Sequence, residues 1–566
     1  MTKIGFFQWS QPWCSPTPLF MRLLPFFSAL AASLLLAFAS DPPPAQAQTA
    51  EGYVYHDRNG DEKRDPGERG ISEIAVSNGE QVTLTDENGY WELPAEAGDI
   101  FFVVKPSDWM TPVNNRSNLP RFYYVHQPDG SPDDLKYRGV DPTGPLPEEI
   151  NFPLYPETTG SQFTALLFGD TQPYTIQEVD YVARDVVHEL IDVEGVEFGM
   201  TLGDIVGDSL ALFQPLNEAI AEVGIPWYNV LGNHDVNYDV PRDHLSGETF
   251  KRVYGPPTYA FQYGESHFIV LDDVIYPSEP RGDSYVGGLR PDQLRFVENY
   301  LEHVPENELV VLAMHIPLAQ HGESFRQSDQ AKLFELLRDH SHTLSISAHT
   351  HKQEHKFFGE ETSAWTQPEP HHHFNAGTTS GSWWNGLNSE RDIPHTMMRD
   401  GTPNGYAFVH FDGPRYEIDW KAAGRPADDR MNIHTPEAIS AGTAEEPLLT
   451  VNVFNASERA EVEYRLRESA PWTPMKKVEK FDPYYVDLYK REQNLDTLMT
   501  AYRENHPERE PGVLPNPGLP SPDTSSHLWE APLGTDRAPG RHRVEVRVTD
   551  MFGRTYSAFH TFRVVE

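Results

Sequence analysis

The sequence predicts a layered α/β core held between two small all-β domains. The middle of the chain alternates apolar runs with helix-period patterns, and both flanks carry short alternating runs broken by turn residues. A chain of 566 residues also exceeds what one hydrophobic core serves.

The N-terminal flank, residues 50–155, contains Gly52-Tyr53-Val54-Tyr55, Gln81-Val82-Thr83-Leu84-Thr85, Gly89-Tyr90-Trp91-Glu92-Leu93 and Ile100-Phe101-Phe102-Val103-Val104. Such runs, separated by turn residues, predict a small β-sandwich, followed by a Pro-, Gly- and Asp-rich linker from Gln127 to Glu148. Residues 160–436 form the core. Its expected strands are Phe163 to Phe168, Phe198 to Leu202, Trp227 to Leu231, Phe268 to Leu271, Leu309 to Met314 and Leu344 to Ser347. Between them, Ile176, Val179, Ala183, Val186, Val187 and Leu190 recur at helical spacing, as do Leu294, Val297, Leu301 and Val304. Residues 437–566 return to strand patterns at Leu448 to Val453, Ala460 to Arg465, Arg543 to Val548 and Ala558 to Val565. A second sandwich is expected there, interrupted by a helix-prone insertion at Val486 to Arg503 and a Pro-rich loop at Pro507 to Pro522.

Residues 1–47 read as an export signal: an apolar run from Leu23 to Ala39 follows Arg22, and Ala45-Gln46-Ala47 offers small residues at a cleavage site. The polar segment before Met21 suits a signal poorly and makes Met21 an alternative start. Cys14, the single cysteine, lies in this segment, so the mature chain has neither disulfides nor thiolate metal ligands. A periplasmic or extracellular protein is expected, with no membrane span once the signal is removed. The formal net charge of -40 argues against nucleic acid as a main partner, because phosphate backbones reward positive surfaces.

Five polar clusters each follow an expected strand: Asp170-Thr171-Gln172, Gly203-Asp204, Gly232-Asn233-His234-Asp235, His315, and Ala348-His349-Thr350-His351. Ligands of α/β sheets gather at the carboxyl ends of strands, so clusters this far apart in sequence can converge in space. Alone, each reads as a turn, a cap or a satisfied histidine; in this order, after these strands, turns explain them poorly.

The order resembles the calcineurin-like metallophosphoesterase superfamily, whose pattern is D-x-H, GD, GNH[DE], H and GHxH. The stretches Ser380-Gly381-Ser382-Trp383-Trp384-Asn385-Gly386 and Asp400 to Tyr406 are similar to bacterial exported members with an N-terminal β domain and a C-terminal β-sandwich. The resemblance implies a four-layer αββα sandwich holding two divalent ions, Mn, Fe or Zn. Asp170, Gln172, Asp204 and His351 would surround the first ion, and Asp204, Asn233, His315 and His349 the second, with Asp204 shared. A bridging hydroxide would then attack phosphorus in line. His234 would stabilise the transition state or protonate the leaving group, with Asp235 positioning it. Asp208 would either support the site from behind or cap a helix. The expected activity is hydrolysis of phosphomonoesters or phosphodiesters, small or macromolecular. The rival reading is a non-catalytic surface or adhesion protein with a degenerate core.

Two residues depart from the pattern. Ala348 stands where glycine is usual and needs an ordinary backbone angle. Gln172 stands where histidine is usual. Its amide oxygen can still bind a metal, as a harder, neutral donor that favours Mn²⁺ or Fe²⁺ over Zn²⁺.

Three further features invite readings. Asp57, Asn59, Asp61, Asp65 and Glu68 place side-chain oxygens at positions 1, 3, 5, 9 and 12 of a calcium-type loop, with the Lys63 carbonyl at position 7 and Glu62 where glycine is usual. The segment resembles calcium loops of bacterial surface β domains; the plain alternative is an acidic turn. His371-His372-His373 lies on an expected strand, whose alternation keeps the three rings from sharing one metal, so solvated or pocket-lining histidines are expected. Trp383-Trp384 would wall the substrate site or cap the core.

Overall fold

The computed structural model describes residues 48–278, 284–318, 325–441, 446–505, 518–534 and 537–566. The signal-like segment, the Pro-rich stretch 506–517 and parts of the two loops around Arg281 and His321 lie outside the described residues.

Two sheets face each other in the core. One is ordered Trp227–Asn229, Phe198–Thr201, Gln162–Phe168, Gly405–Asp412, Arg415–Ala422. Its first three strands run parallel and its last two antiparallel. The other is ordered Tyr259–Tyr263, Ser266–Val270, Leu309–Ala313, His342–Ser347, His371–Ala376, Gln353–Phe358, with four parallel strands in its centre and an antiparallel strand at each edge. Leu309-Val310-Val311-Leu312-Ala313 is buried on both faces, which is why it reads as an unbroken apolar run. Aromatic rings fill the space between the sheets: Phe198 stacks on Tyr263 at 4.6 Å, and Phe163 meets Phe268 at 6.4 Å.

Helices cover the outer faces, Ile176–Asp185 beside Phe213–Ile220 and Pro291–Leu301 beside Gln327–Leu337, completing four layers. Helix Ile176–Asp185 starts where it does because the Thr175 hydroxyl accepts from the Glu178 N–H while the Glu178 carboxylate accepts from the Thr175 N–H. Val179 and Val182 then fall on its buried face.

The N-terminal strands form two four-stranded sheets packed through Trp91 and Phe101, and their apolar side chains run on into the central core. Trp91, Phe101, Phe102 and Phe122 belong to the same apolar cluster as the central domain. Phe102 meets Phe296 at 5.6 Å, and Phe122 meets Tyr259 at 5.2 Å. The C-terminal region has a separate core between a four- and a five-stranded sheet, built on Leu449, Val451, Trp529, Val544, Val546 and Phe562. Its insertion is the helix Pro483–Asn505. No helix among the described residues is long and apolar enough to cross a membrane.

The histidine triplet departs from expectation. All three rings are buried on Gln353–Phe358 and His342–Ser347's partner strand, His371–Ala376, and are fully occupied by neighbours. His371 bonds Thr343 and Ser345, and His373 bonds Ser345 and Ser347. His372 bonds Tyr416 and His355. Hydroxyls on the adjacent strand satisfy the ring nitrogens, so water and pocket are not needed.

Candidate metal centre

The parallel strands of both sheets end at one edge, and the loops that leave them carry the five clusters. Asp170 and Gln172 follow Gln162–Phe168, Asp204 follows Phe198–Thr201, and Asn233 with His234 follow Trp227–Asn229. His315 follows Leu309–Ala313, and His349 with His351 follow His342–Ser347.

These loops are tightly bent. Asp170, Gln172, Asp204, His349 and His351 all have left-handed φ, from 22° to 71°. Each such residue costs free energy and persists only where its surroundings enforce it. The glycines make the convergence possible. A Cβ on Gly203 would sit 2.5 Å from the His315 ring, and one on Gly232 would sit 1.9 Å from the Asp204 nitrogen. Ala348 is buried with an ordinary backbone, so its methyl group brings no strain.

Two sets of donor atoms form around Asp204. In the first, His315 Nε2 lies 3.1 Å from Asn233 Oδ1, 3.1 Å from His349 Nδ1 and 3.3 Å from Asp204 Oδ1. The Nδ1–H of His315 donates to the Leu202 carbonyl at 2.8 Å, which fixes the tautomer and aims Nε2 inward. In the second, His351 Nε2 lies 3.2 Å from Asp170 Oδ2, and Gln172 Nε2 lies 3.2 Å from Asp204 Oδ2. His351 Nδ1–H donates to the Gly381 carbonyl at 2.5 Å, again leaving Nε2 for the site. Asp170 Oδ1 accepts from the His349 N–H at 3.0 Å and ties the two sets together.

The residues fit divalent ions. Asp170 Oδ2 and Gln172 Oε1 are buried with no hydrogen-bond donor, a costly state unless a cation serves them. Donors about 2.1 Å from an ion sit about 3.0–3.4 Å from one another in octahedral or tetrahedral arrangements. The 3.1–3.3 Å separations in the first set match that spacing. Charge favours a cation too. Burial opposes a proton on His315, yet Asp204, Asp170 and Asp273 raise its pKa to about 10. His349 is driven down to about 4 by burial and by the charge on His315.

His234 sits at the mouth, 26% exposed. Its Nδ1–H donates to Asp208 Oδ1 at 2.6 Å, and its Nε2 lies 4.0 Å from Asp204 Oδ2. Burial works against its charge, but Asp204 and Asp208 outweigh burial and raise its pKa. The expected partner, Asp235, is elsewhere. It is fully buried, and its two oxygens accept N–H bonds from Ile205, Val206 and Gly232 at 2.9–3.1 Å. Asp235 therefore joins the GD loop to the GNHD loop, and Asp208 orients the ring. Asp208 caps no helix, since Ser209 occupies that position.

Sequence reasoning missed several supports. Asp273 accepts from the His315 and Ile316 N–H groups at 3.2 and 2.9 Å. The signal was present, an Asp272-Asp273 pair directly after a strand. The two tryptophans point apart. Trp384 is buried and donates to the Thr171 carbonyl at 2.9 Å, whereas Trp383 stacks on His351 at 4.0 Å. Glu492, on the C-terminal helix, reaches this same loop. It accepts from the Leu387 N–H at 3.1 Å and meets His395 Nε2 at 2.7 Å. No local pattern marks it.

The calcium-type loop stands apart on the N-terminal sandwich. Asp57 accepts from the Gly60 and Glu62 N–H groups, and Glu68 from Arg58 and Asp65. Asn59 donates to Asp65, and Asp61 accepts from the Lys63 N–H. Glu62 takes φ 61°, the left-handed turn for which glycine is usual at that position.

Three family profiles cover most of the chain: the N terminal of calcineurin-like phosphoesterase over residues 58–140, calcineurin-like phosphoesterase over 163–353, and the C terminal of calcineurin-like phosphoesterase over 373–556. The chain belongs to the calcineurin-like phosphoesterase family. The catalytic profile of the family spans every donor named above, from Asp170 to His351. Among solved structures, a purple acid phosphatase from yellow lupin (Lupinus luteus) seeds matches with 11% identity and a TM-score of 0.33, covering 62% of this chain and 67% of that one. Vps29 of Chaetomium thermophilum matches with 11% identity and a TM-score of 0.20, covering 55% of this chain and 95% of that one. No curated protein matches the chain.

Proposed function

We propose that the protein hydrolyses phosphoesters at a dinuclear metal centre. One observation carries the reading: the Asp204 carboxylate stands between two donor sets, Oδ1 toward His315 and Oδ2 toward Gln172, with two orphaned buried oxygens beside it. Asp170, Gln172, Asp204 and His351 would hold one ion, and Asp204, Asn233, His315 and His349 the other. Bound there, a pair of divalent ions activates water and offsets charge on the phosphoryl oxygens.

The chain's own residues do the rest. Against burial, Asp204 and Asp208 raise the His234 pKa, and Asp208 holds the ring, so His234 would offer a proton to the leaving oxygen. Asp235 fixes the loops that carry Asp204 and His234. Gln172 supplies a neutral oxygen donor, which favours Mn²⁺ or Fe²⁺ over Zn²⁺ at its site. The loop Asp57 to Glu68 would bind Ca²⁺, supported by the oxygen side chains at its ligand positions and the left-handed Glu62.

Export is part of the same reading, supported by the apolar run before Ala45-Gln46-Ala47 and by the lack of cysteine after residue 47. N-terminal sequencing of the mature protein is expected to start near Gln48.

The decisive experiment loads the full chain with Mn²⁺ and measures hydrolysis of nitrophenyl mono- and diesters. Activity lost in Asp204→Asn and His234→Ala is expected. An inactive wild type, or full activity in both variants, would overturn the reading.

A further inference from the structure

We infer that the site selects phosphoesters whose organic group is a planar, unsaturated ring; this rests on the phosphoesterase reading. Four aromatic side chains surround the donor atoms, each from a different loop and each against a different site residue. The Tyr174 ring lies edge-on to His234 at 6.1 Å. The Tyr238 hydroxyl donates to the Asn233 carbonyl at 2.5 Å. Tyr285 lies edge-on to His349 at 5.9 Å, and Trp383 stacks on His351 at 4.0 Å.

These rings do more than fill the core. Tyr174 and Tyr238 are 38% and 39% exposed, among the few large hydrophobic residues that are. Tyr285 and Trp383 are half-buried. Their position decides what they can touch. Phosphorus must sit among the donor atoms, so the group esterified to it has to leave across this collar. The group that departs past His234 passes Tyr174 first. The backbone is also bent to present the collar: Trp383 has φ 55° while its neighbour Trp384 turns into the core. Ring faces and edges recognise a planar ring by stacking, and offer a flexible alkyl chain only weak contact.

The test compares binding of methyl-, cyclohexyl- and phenylphosphonate to the Mn²⁺-loaded full chain by calorimetry, which reads affinity without turnover. Phenylphosphonate is expected to bind about tenfold more tightly than methylphosphonate, with cyclohexylphosphonate in between. Tyr174→Leu should cut the phenyl advantage to about threefold or less, and Tyr174→Phe should keep it. Tyr174 is chosen because its ring is among the exposed ones of the collar, so the fold survives the change. Equal affinity for phenyl- and methylphosphonate would overturn the ring selectivity while leaving the phosphoesterase reading intact. Cyclohexylphosphonate binding as tightly as phenylphosphonate would overturn the requirement for planarity. If none of the three binds, both the selectivity and the phosphoesterase reading fall.

Discussion

His234 Nδ1 lies 2.6 Å from Asp208 Oδ1, at the end of a loop that begins with Asp204. The adjacent Asp235 points the other way, into three backbone N–H groups. The two carboxylates therefore predict different defects. Asp208→Asn should lower kcat by about tenfold, because the imidazole loses the charge that orients it and keeps its proton. The loss should be larger for esters with poor leaving groups, which depend most on protonation. Asp235→Asn should instead lower the melting temperature, since a buried acceptor of three N–H bonds becomes a partial donor. Steady-state kinetics over a series of leaving groups, alongside thermal melts, separates the two.

Gln172 Oε1 is buried without a partner while the same amide donates to Asp204. A ligand role makes that arrangement reasonable, and it yields a metal prediction. Gln172→Ala should reduce tightly bound metal from two ions to one. Gln172→His should strengthen the first site and shift its preference toward Zn²⁺. Metal analysis after dialysis, with competitive titration of Mn²⁺ and Zn²⁺, checks both. An unchanged stoichiometry in the alanine variant would remove Gln172 from the site.

The core strands and the donor set were legible because both depend on local signals. Leu309 to Ala313 is apolar on both faces, and each polar cluster begins where such a run stops. Partnerships between distant loops left no such trace. Asp235 adjoins His234 in sequence, but the turn reverses its side chain, and Asp208 arrives from another loop. Likewise the N-terminal strands alternate as an independent sandwich would, yet Phe102 and Phe122 spend their apolar area on the core. Alternation reports which face is buried, and it cannot say against what. The triplet His371 to His373 shows the same limit, since burial there is made tolerable by serines and a threonine on the neighbouring strand.

The loop Asp57 to Glu68 predicts a stability response confined to calcium. Four carboxylates, Asp57, Asp61, Asp65 and Glu68, fall within one twelve-residue segment, and a bound cation would offset their charge. Added Ca²⁺ at millimolar concentration should raise the melting temperature, and Asp57→Ala should abolish the rise. A melting curve indifferent to Ca²⁺ would leave the segment as an acidic turn.

Glu492 predicts that the C-terminal region contributes to the site. Its carboxylate holds Leu387 and His395 on the loop that also carries Trp383 and the Gly381 carbonyl. In Glu492→Ala, the half-buried Leu387 N–H and His395 ring and the buried Leu519 N–H lose their acceptor, at up to about 1–3 kcal/mol for a buried donor. The loop should loosen, raising KM several-fold with a smaller change in kcat. Glu492→Gln keeps an acceptor oxygen and should recover most of the loss. A kinetic profile in which both variants match wild type would confine the helix to a structural role.

The buried histidines predict acid lability. Burial lowers His371 to about 3 and His355 to about 4, from an ordinary value of 6.5, and drives His372 and His373 down as well. Between pH 6.5 and 4 the unfolded chain binds protons that the folded chain refuses. Their contribution to stability is therefore full above pH 6.5 and is lost as pH falls toward the folded values. Each histidine contributes a slope of about 1.4 kcal/mol per pH unit. Four acting together would exhaust the stability of an ordinary domain within about two to three pH units. Denaturant midpoints should fall steeply below pH 6, and His371→Asn should flatten the slope by about one histidine's share whatever it does to absolute stability. A midpoint that stays flat from pH 7 to pH 4.5 would mean that these rings take up protons without opening the fold.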